Sequence, residues 1–245
     1  APTPALPLEV AVVVAGGWIA TRLARAHHQR HPHLRSVLAG RKSGPAPIHG
    51  GVIVQCAHFG LPPHPNRITT PLPLSTPSPS RPVDTGPWQD WLDADDNVAC
   101  LLGGDTKSFA YTDQDMHALA AHLDQWVAKS SAPVLIVTSR RTGRLAKALV
   151  EAMSQPALIY RWQADDPTNP YTLALAKAQA LVVTGESESI LADATAAGKP
   201  FAVFWPDRPP KRLFDRFSQW VAERATRPRY NRRGSIRPQQ GLQYL

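Results

Sequence analysis

The chain reads as an α/β protein of two Rossmann-like domains, each built on a parallel, doubly wound sheet, with the first domain expected to be incomplete. Three observations lead there. Short apolar runs recur at 10–15 (VAVVVA), 51–55 (GVIVQ), 97–102 (NVACLL), 134–138 (VLIVT), 158–160 and 181–183. Runs of this kind suit strands covered on both faces. From residue 97 the elements alternate as β-loop-α-β-loop-α-β-α-β-loop-α-β, the pattern of an open parallel sheet. A proline-rich stretch, 71–87 (PLPLSTPSPSRPVDTGP), divides the two series, and no regular structure is expected within it. The expected organisation is a first domain at 1–85 with its linker from 71, a second domain at 86–228, and a basic tail at 229–245. The chain starts without Met and runs into a strand, so a lost N-terminal segment is expected.

Within the first domain, the strand at 10–15 leads through Gly16-Gly17 into a helix from Trp18 to Gln29. His27, His28, His31 and His33 resemble a metal cluster only superficially. Pro32 breaks the helix between the pairs and no carboxylate is near, so an exposed helix end is expected. Strands follow at Leu34–Arg41, at Gly51–Gln55 and at Asn66–Thr70. His58 stands just past the end of the strand at 51–55, where open α/β sheets place their ligands. It is the candidate catalytic base or substrate hydrogen bonder of this domain, the alternative being a surface-loop histidine.

In the second domain the strand at 97–102 ends in Gly103-Gly104-Asp105-Thr106-Lys107-Ser108. Two glycines permit close approach of a ligand to backbone, and the residues after them supply donors. Thr112 with Asp115 three residues on predicts an N-cap for a helix over 113–129. After the strand at 134–138 comes the loop Ser139-Arg140-Arg141-Thr142-Gly143, which is expected to run into a helix ending at Ala152. Arginines and hydroxyls at a helix N-terminus suit a phosphate group. The third loop lies in Leu181–Pro200, LVVTGESESILADATAAGKP. Its helix starts at Ser189 and ends on Gly198 as C-cap. Ser187 and Ser189 sit where a diphosphate would be held, or serve simply as N-caps. Asp193, one turn past Ser189, is placed for a ribose hydroxyl.

Glu186, Ser187, Ser189, Asp193, Gly198, Lys199 and Pro200, together with Gly103–Thr106 and Ser139–Thr142, form a pattern that resembles the elongated-mitochondria (Elm) fission-protein family. That family is similar to glycosyltransferases of the two-domain GT-B fold. The resemblance implies a nucleotide-sugar site made of Gly103, Gly104, Asp105, Thr106, Ser139, Arg140, Arg141, Thr142, Glu186, Ser187, Ser189 and Asp193. It also implies that Asn169 and Tyr171 face the nucleoside base, although Asn169 before Pro170 is explained equally by helix capping. The family usually carries Glu where Asp193 stands, and Asp is one methylene shorter.

Charge narrows the partners. The net charge of +8 divides into +6 over 1–85, −5 over 86–210 and +7 over 211–245. Basic ends around an acidic middle suggest an anionic membrane surface or a polyanionic acceptor, or merely a solvated tail. A helix at 209–224 carries Leu213, Phe214, Phe217, Trp220 and Val221 on one face, which suits core packing or a membrane surface. Two cysteines with no spacing motif indicate buried free thiols in a reducing compartment. No run reaches the length of a membrane span, so a cytoplasmic protein, peripheral at the inner membrane face, is expected.

The expected activity is metal-independent, glycosyltransferase-like transfer from a nucleoside diphosphate-sugar, with no cofactor and no nucleic acid. The alternative is a non-catalytic nucleotide-binding adaptor or peripheral membrane recruiter. An NAD-dependent oxidoreductase is disfavoured, because no G-x-G-x-x-G follows a strand.

Overall fold

The computed structural model describes residues 10–14, 35–39, 51–57, 64–75, 83–106, 109–129 and 133–206, with four helical positions at Arg22, Ala26, Gln29 and Arg30. The expectations for Gly16-Gly17, the four histidines at 27–33, His58, Lys107, Ser108, the helix at 209–224 and the tail lie outside these residues. The chain is a mixed α/β protein with two all-parallel sheets. Two compact units hold them, one comprising the residues up to 74 and one spanning 75–208.

In the first unit β1 (Val10–Val14), β2 (Arg35–Ala39), β3 (Gly51–Cys56) and β4 (Arg67–Thr70) lie side by side in chain order. The register runs Val12↔Val37, Val37↔Val52 and Val54↔Ile68. The order never reverses among these strands, so they create no switch-point crevice of their own.

The second unit opens with a 3-10 turn at Gly86–Trp88 and a short helix, α1 (Gln89–Leu92). Residues before the turn already belong to this unit. The Asp84 amide donates to the Pro167 carbonyl at 3.1 Å, and the Trp88 indole donates to the Thr168 carbonyl at 2.8 Å. The proline-rich stretch is thus ordered at its far end, where backbone and indole donors find carbonyls. Five strands follow: β5 (Val98–Leu102), β6 (Val134–Thr138), β7 (Ala157–Tyr160), β8 (Ala180–Thr184) and β9 (Phe201–Phe204). Helices α2 (Asp113–Val127), α3 (Leu145–Ala152), α4 (Tyr171–Lys177) and α5 (Glu188–Ala197) connect them. The sheet order is β7-β6-β5-β8-β9. The chain therefore steps outward from β5 to β7, then returns to the other side of β5. The resulting crevice opens beyond the carboxyl ends of β5 and β8.

Local chemistry explains the elements. Every residue of β5 and β6 is buried, as their unbroken apolar sequence requires. Each buried Val, Leu or Ile contributes about 1.5–3 kcal/mol relative to exposure. The capping box expected from Thr112 and Asp115 is present, and α2 runs to Val127. Met116, Leu119 and Leu123 pack with Leu145 and Leu149 of α3 over Cys100 and Ile136. Asn97 is the polar staple at the other end of the sheet. Its amide donates to the Trp91 carbonyl at 3.0 Å, and its Oδ1 accepts from the Gln179 amide at 3.0 Å. Trp91, fully buried, returns a bond from its indole to the Val98 carbonyl at 3.0 Å. Gly198 ends α5 in the left-handed region, φ 65°. Strand β9 departs from the rest. It closes one edge of the sheet, and Phe201, Val203 and the following Trp205 are 38%, 47% and 40% exposed.

Both cysteines are buried, and neither is in a disulfide. Burial pushes the Cys100 thiol up to about 12 from 9.0. The unfolded thiol ionises near its ordinary value while the folded one stays protonated, so this group's contribution to stability is full below pH 9 and is lost as pH rises towards 12. In a Cys56→Ser background, Cys100 should resist iodoacetamide at pH 8.5 and react at once in denaturing urea. Mass spectrometry of the alkylated chain reads the difference.

Candidate functional site

Three loops converge on the crevice between β5 and β8. The first is Gly103-Gly104. The Gly103 amide donates to Thr184 Oγ1 at 2.8 Å, and the Gly104 amide donates to Glu186 Oε1 at 2.7 Å. A Cβ on Gly103 would lie 1.8 Å from Glu186 Oε1, and one on Gly104 would lie 2.2 Å from the Arg141 carbonyl oxygen. Both glycines are therefore required by the chain's own packing, with no need to invoke a ligand at the backbone. Asp105, exposed, and Thr106, half-buried, both bond within the same loop region. Asp105 Oδ1 accepts from the Tyr111 amide at 2.9 Å, and Thr106 Oγ1 accepts from the Phe109 amide at 3.0 Å.

Glu186 sits at the centre, 8% exposed. Its second oxygen accepts from the Tyr111 hydroxyl at 2.7 Å. Burial, and then the Glu186 charge and hydrogen bond, hold the Tyr111 phenol far above its ordinary range, so it remains a donor. Nothing in the sequence marks Tyr111 or Thr184 as partners of this loop, since a lone Tyr and a strand-terminal Thr match no motif.

The second loop is Ser139–Thr142. Thr142, 2% exposed, accepts from the Ser139 amide at 2.7 Å and lies 2.8 Å and 2.5 Å from the carbonyls of Leu102 and Gly103. Ser139 Oγ reaches the Gly103 carbonyl at 3.0 Å and accepts from the Arg141 amide at 3.2 Å. The helix that follows this loop begins at Leu145 and ends at Ala152, as expected. Thr142 pulls the chain back to β5, and Gly143 at φ 51° turns it before α3 starts. Arg140 and Arg141 are consequently on an exposed turn ahead of the helix.

The third loop carries Ser187 as N-cap of α5, and Ser187 makes no side-chain capping bond. Its hydroxyl instead stands 3.3 Å from Ser189 Oγ and accepts from the Arg141 guanidinium at 3.3 Å. Ser187 is 3% exposed, whereas Ser189 and Arg141 are open to solvent. The N-terminal end of α5 and the Arg141 guanidinium thus meet at the crevice with one sign of potential. One turn further on, Asp193 accepts from the Tyr171 hydroxyl at 2.6 Å and from the Ser75 hydroxyl. Asn169 Oδ1 accepts from the Tyr171 amide at 3.0 Å, which is the capping role. Desolvation, then the Asp193 hydrogen bond and charge, raise the Tyr171 phenol well above its ordinary range. Among the described residues no group of three His, Cys, Asp or Glu side chains is arranged to hold a metal ion.

The loop junction makes its own prediction. Gly104→Ala forces a methyl against backbone that cannot swing aside, and should destabilise the chain by about 2–3 kcal/mol. Tyr111→Phe leaves one oxygen of a buried carboxylate without its donor, for a loss of about 1–3 kcal/mol. Urea denaturation of each full-length variant measures both.

A family model for Mitochondrial fission ELM1 matches residues 9–240. An uncharacterized protein of Rickettsia prowazekii (strain Madrid E), RP120, is 29% identical over 111 residues, 44% of this chain and 31% of that protein. The chain thus spans about a third of the length of this curated relative. No solved structure matches it. Since the family model covers nearly the whole sequence, including all three crevice loops, the chain belongs to the mitochondrial fission ELM1 family.

Proposed function

We propose that the crevice of the second unit binds a nucleoside diphosphate-sugar, and that the chain is a glycosyltransferase-like protein acting on an anionic or membrane-borne acceptor. The observation that carries this reading is the Arg141–Ser187–Ser189 cluster at the head of α5. An N-cap hydroxyl that makes no capping bond of its own and meets an arginine across the switch point suits a diphosphate. Arg140, on the same turn, would add a second positive charge. In a transfer reaction these groups would stabilise the charge that grows on the departing diphosphate. Asn169 and Tyr171, at the start of α4, would border the nucleoside. His58, the candidate base, lies outside the described residues.

A second reading, a nucleotide-binding adaptor without turnover, is favoured by one observation. The crevice carboxylates Glu186 and Asp193 both already accept bonds from internal donors. Neither is poised as a base. Such an adaptor would use its basic ends, +6 over 1–85 and +7 over 211–245, on an anionic bilayer. No helix among the described residues is long and apolar enough to cross a membrane.

UDP or GDP should raise the Tm of the full chain in a concentration-dependent way, and NAD should not. Arg141→Ala should weaken nucleotide affinity about tenfold or more, the equivalent of one charge-assisted hydrogen bond. Stabilisation by NAD alone would refute the proposal. Sugar release from a bound nucleotide-sugar, lost in His58→Ala with affinity retained, selects the transferase. Salt-sensitive sedimentation with anionic vesicles in the absence of turnover selects the adaptor.

A further inference from the structure

We propose that Ser75, the residue at which the second unit begins, is a built-in competitor for the ribose. Its hydroxyl takes the Asp193 carboxylate that a ribose diol would take, and a nucleoside diphosphate must displace it. This inference rests on the nucleotide reading of the crevice.

The geometry of Asp193 is the starting point. It follows Ser189 by four residues on α5, so about 6 Å of helix rise separates it from the diphosphate groups. That is the spacing between a nucleotide's phosphates and the hydroxyls of its ribose, on the same face of the helix. The carboxylate is half-buried and both of its oxygens accept from alcohol-type hydroxyls, Oδ1 from Ser75 and Oδ2 from Tyr171. Two hydroxyls on one carboxylate are what a ribose 2′,3′-diol would supply. The position is therefore filled by the same chemistry from within the chain.

The two internal donors are not held alike. Tyr171 is the first residue of α4, and its amide is fixed by Asn169. Its phenol stays protonated through burial and through Asp193 itself, so it remains a donor at any ordinary pH. Ser75 instead ends a stretch, 71–75, that has neither helix nor strand and contains Pro71 and Pro73. Of the two, Ser75 is the donor that can leave without unwinding an element. Tyr171 is then a positioning residue, orienting the carboxylate that the ribose meets.

A site populated in this occupied form binds nucleotide with an apparent affinity reduced by the fraction that is open. Removing the Ser75 hydroxyl should raise that fraction. Calorimetric titration of the full chain with UDP and with GDP provides the test, comparing wild type, Ser75→Ala, and Ser75→Ala combined with Asp193→Asn. Ser75→Ala should bind about tenfold more tightly, and Asp193→Asn should erase the gain. Binding by Ser75→Ala alone, with none by wild type, supports the proposal in its strongest form. Equal or weaker binding by Ser75→Ala overturns the competitor and leaves the nucleotide site standing. If neither wild type nor Ser75→Ala binds either nucleotide, the competitor and the nucleotide reading fall together.

Discussion

A single buried carboxylate ties the working end of the second unit together. Glu186 arrives from β8 and is received by the Gly104 amide from β5 and the Tyr111 hydroxyl beyond it. A buried charge is tolerated only where donors converge on it, and here they come from separate stretches of chain. The arrangement dictates Gly103, whose missing Cβ is the space the carboxylate uses. It also brings the β5 loop under the Ser139–Thr142 turn, because Gly104 must in turn make room for the Arg141 carbonyl. The crevice is thus built from contacts between loops before any ligand is considered.

That construction separates two kinds of polar residue that look alike in sequence. Thr142, Thr184 and Glu186 are buried and saturated, and they set where the loops lie. Arg140, Arg141 and Ser189, by contrast, are exposed and open to a solute. Ser187 stands between the classes, covered but joined to both Arg141 and Ser189. Rigid support beneath a few accessible donors is the arrangement by which a site is preorganised for an anion.

Much of the fold was legible from residue patterns, and the limits were physical. The all-apolar runs of β5 and β6, the Thr112–Asp115 capping box and the Gly198 C-cap are local signals, and each appears where the residues indicated. The phosphate-like loops were also legible as loops at strand ends. What sequence could not separate was supporting from accessible residues, because that depends on pairings such as Gly104 with Glu186, 82 positions apart. The loop at 139–143 ahead of α3 was legible too, but not that Thr142 bonds back to β5, which is a tertiary contact. Strand β9 reads as apolar as β6, yet only topology reveals that it is the edge. Ser75 gave no signal at all within a proline-rich stretch.

The strand order also governs how the chain acquires its shape. Helix α2 packs on its neighbour α3, and β5, β6 and β7 join in sequence, so this half can assemble as it emerges. The other flank of β5 cannot. It pairs with β8, in the register Val98↔Ala180, and must wait for most of the unit to be made. Until then β5 presents an open edge of buried-type side chains, the form of nascent structure most exposed to mispairing. The loops of the crevice meet only when β8 closes that edge, so the crevice exists only after three of the sheet's strands are already in place.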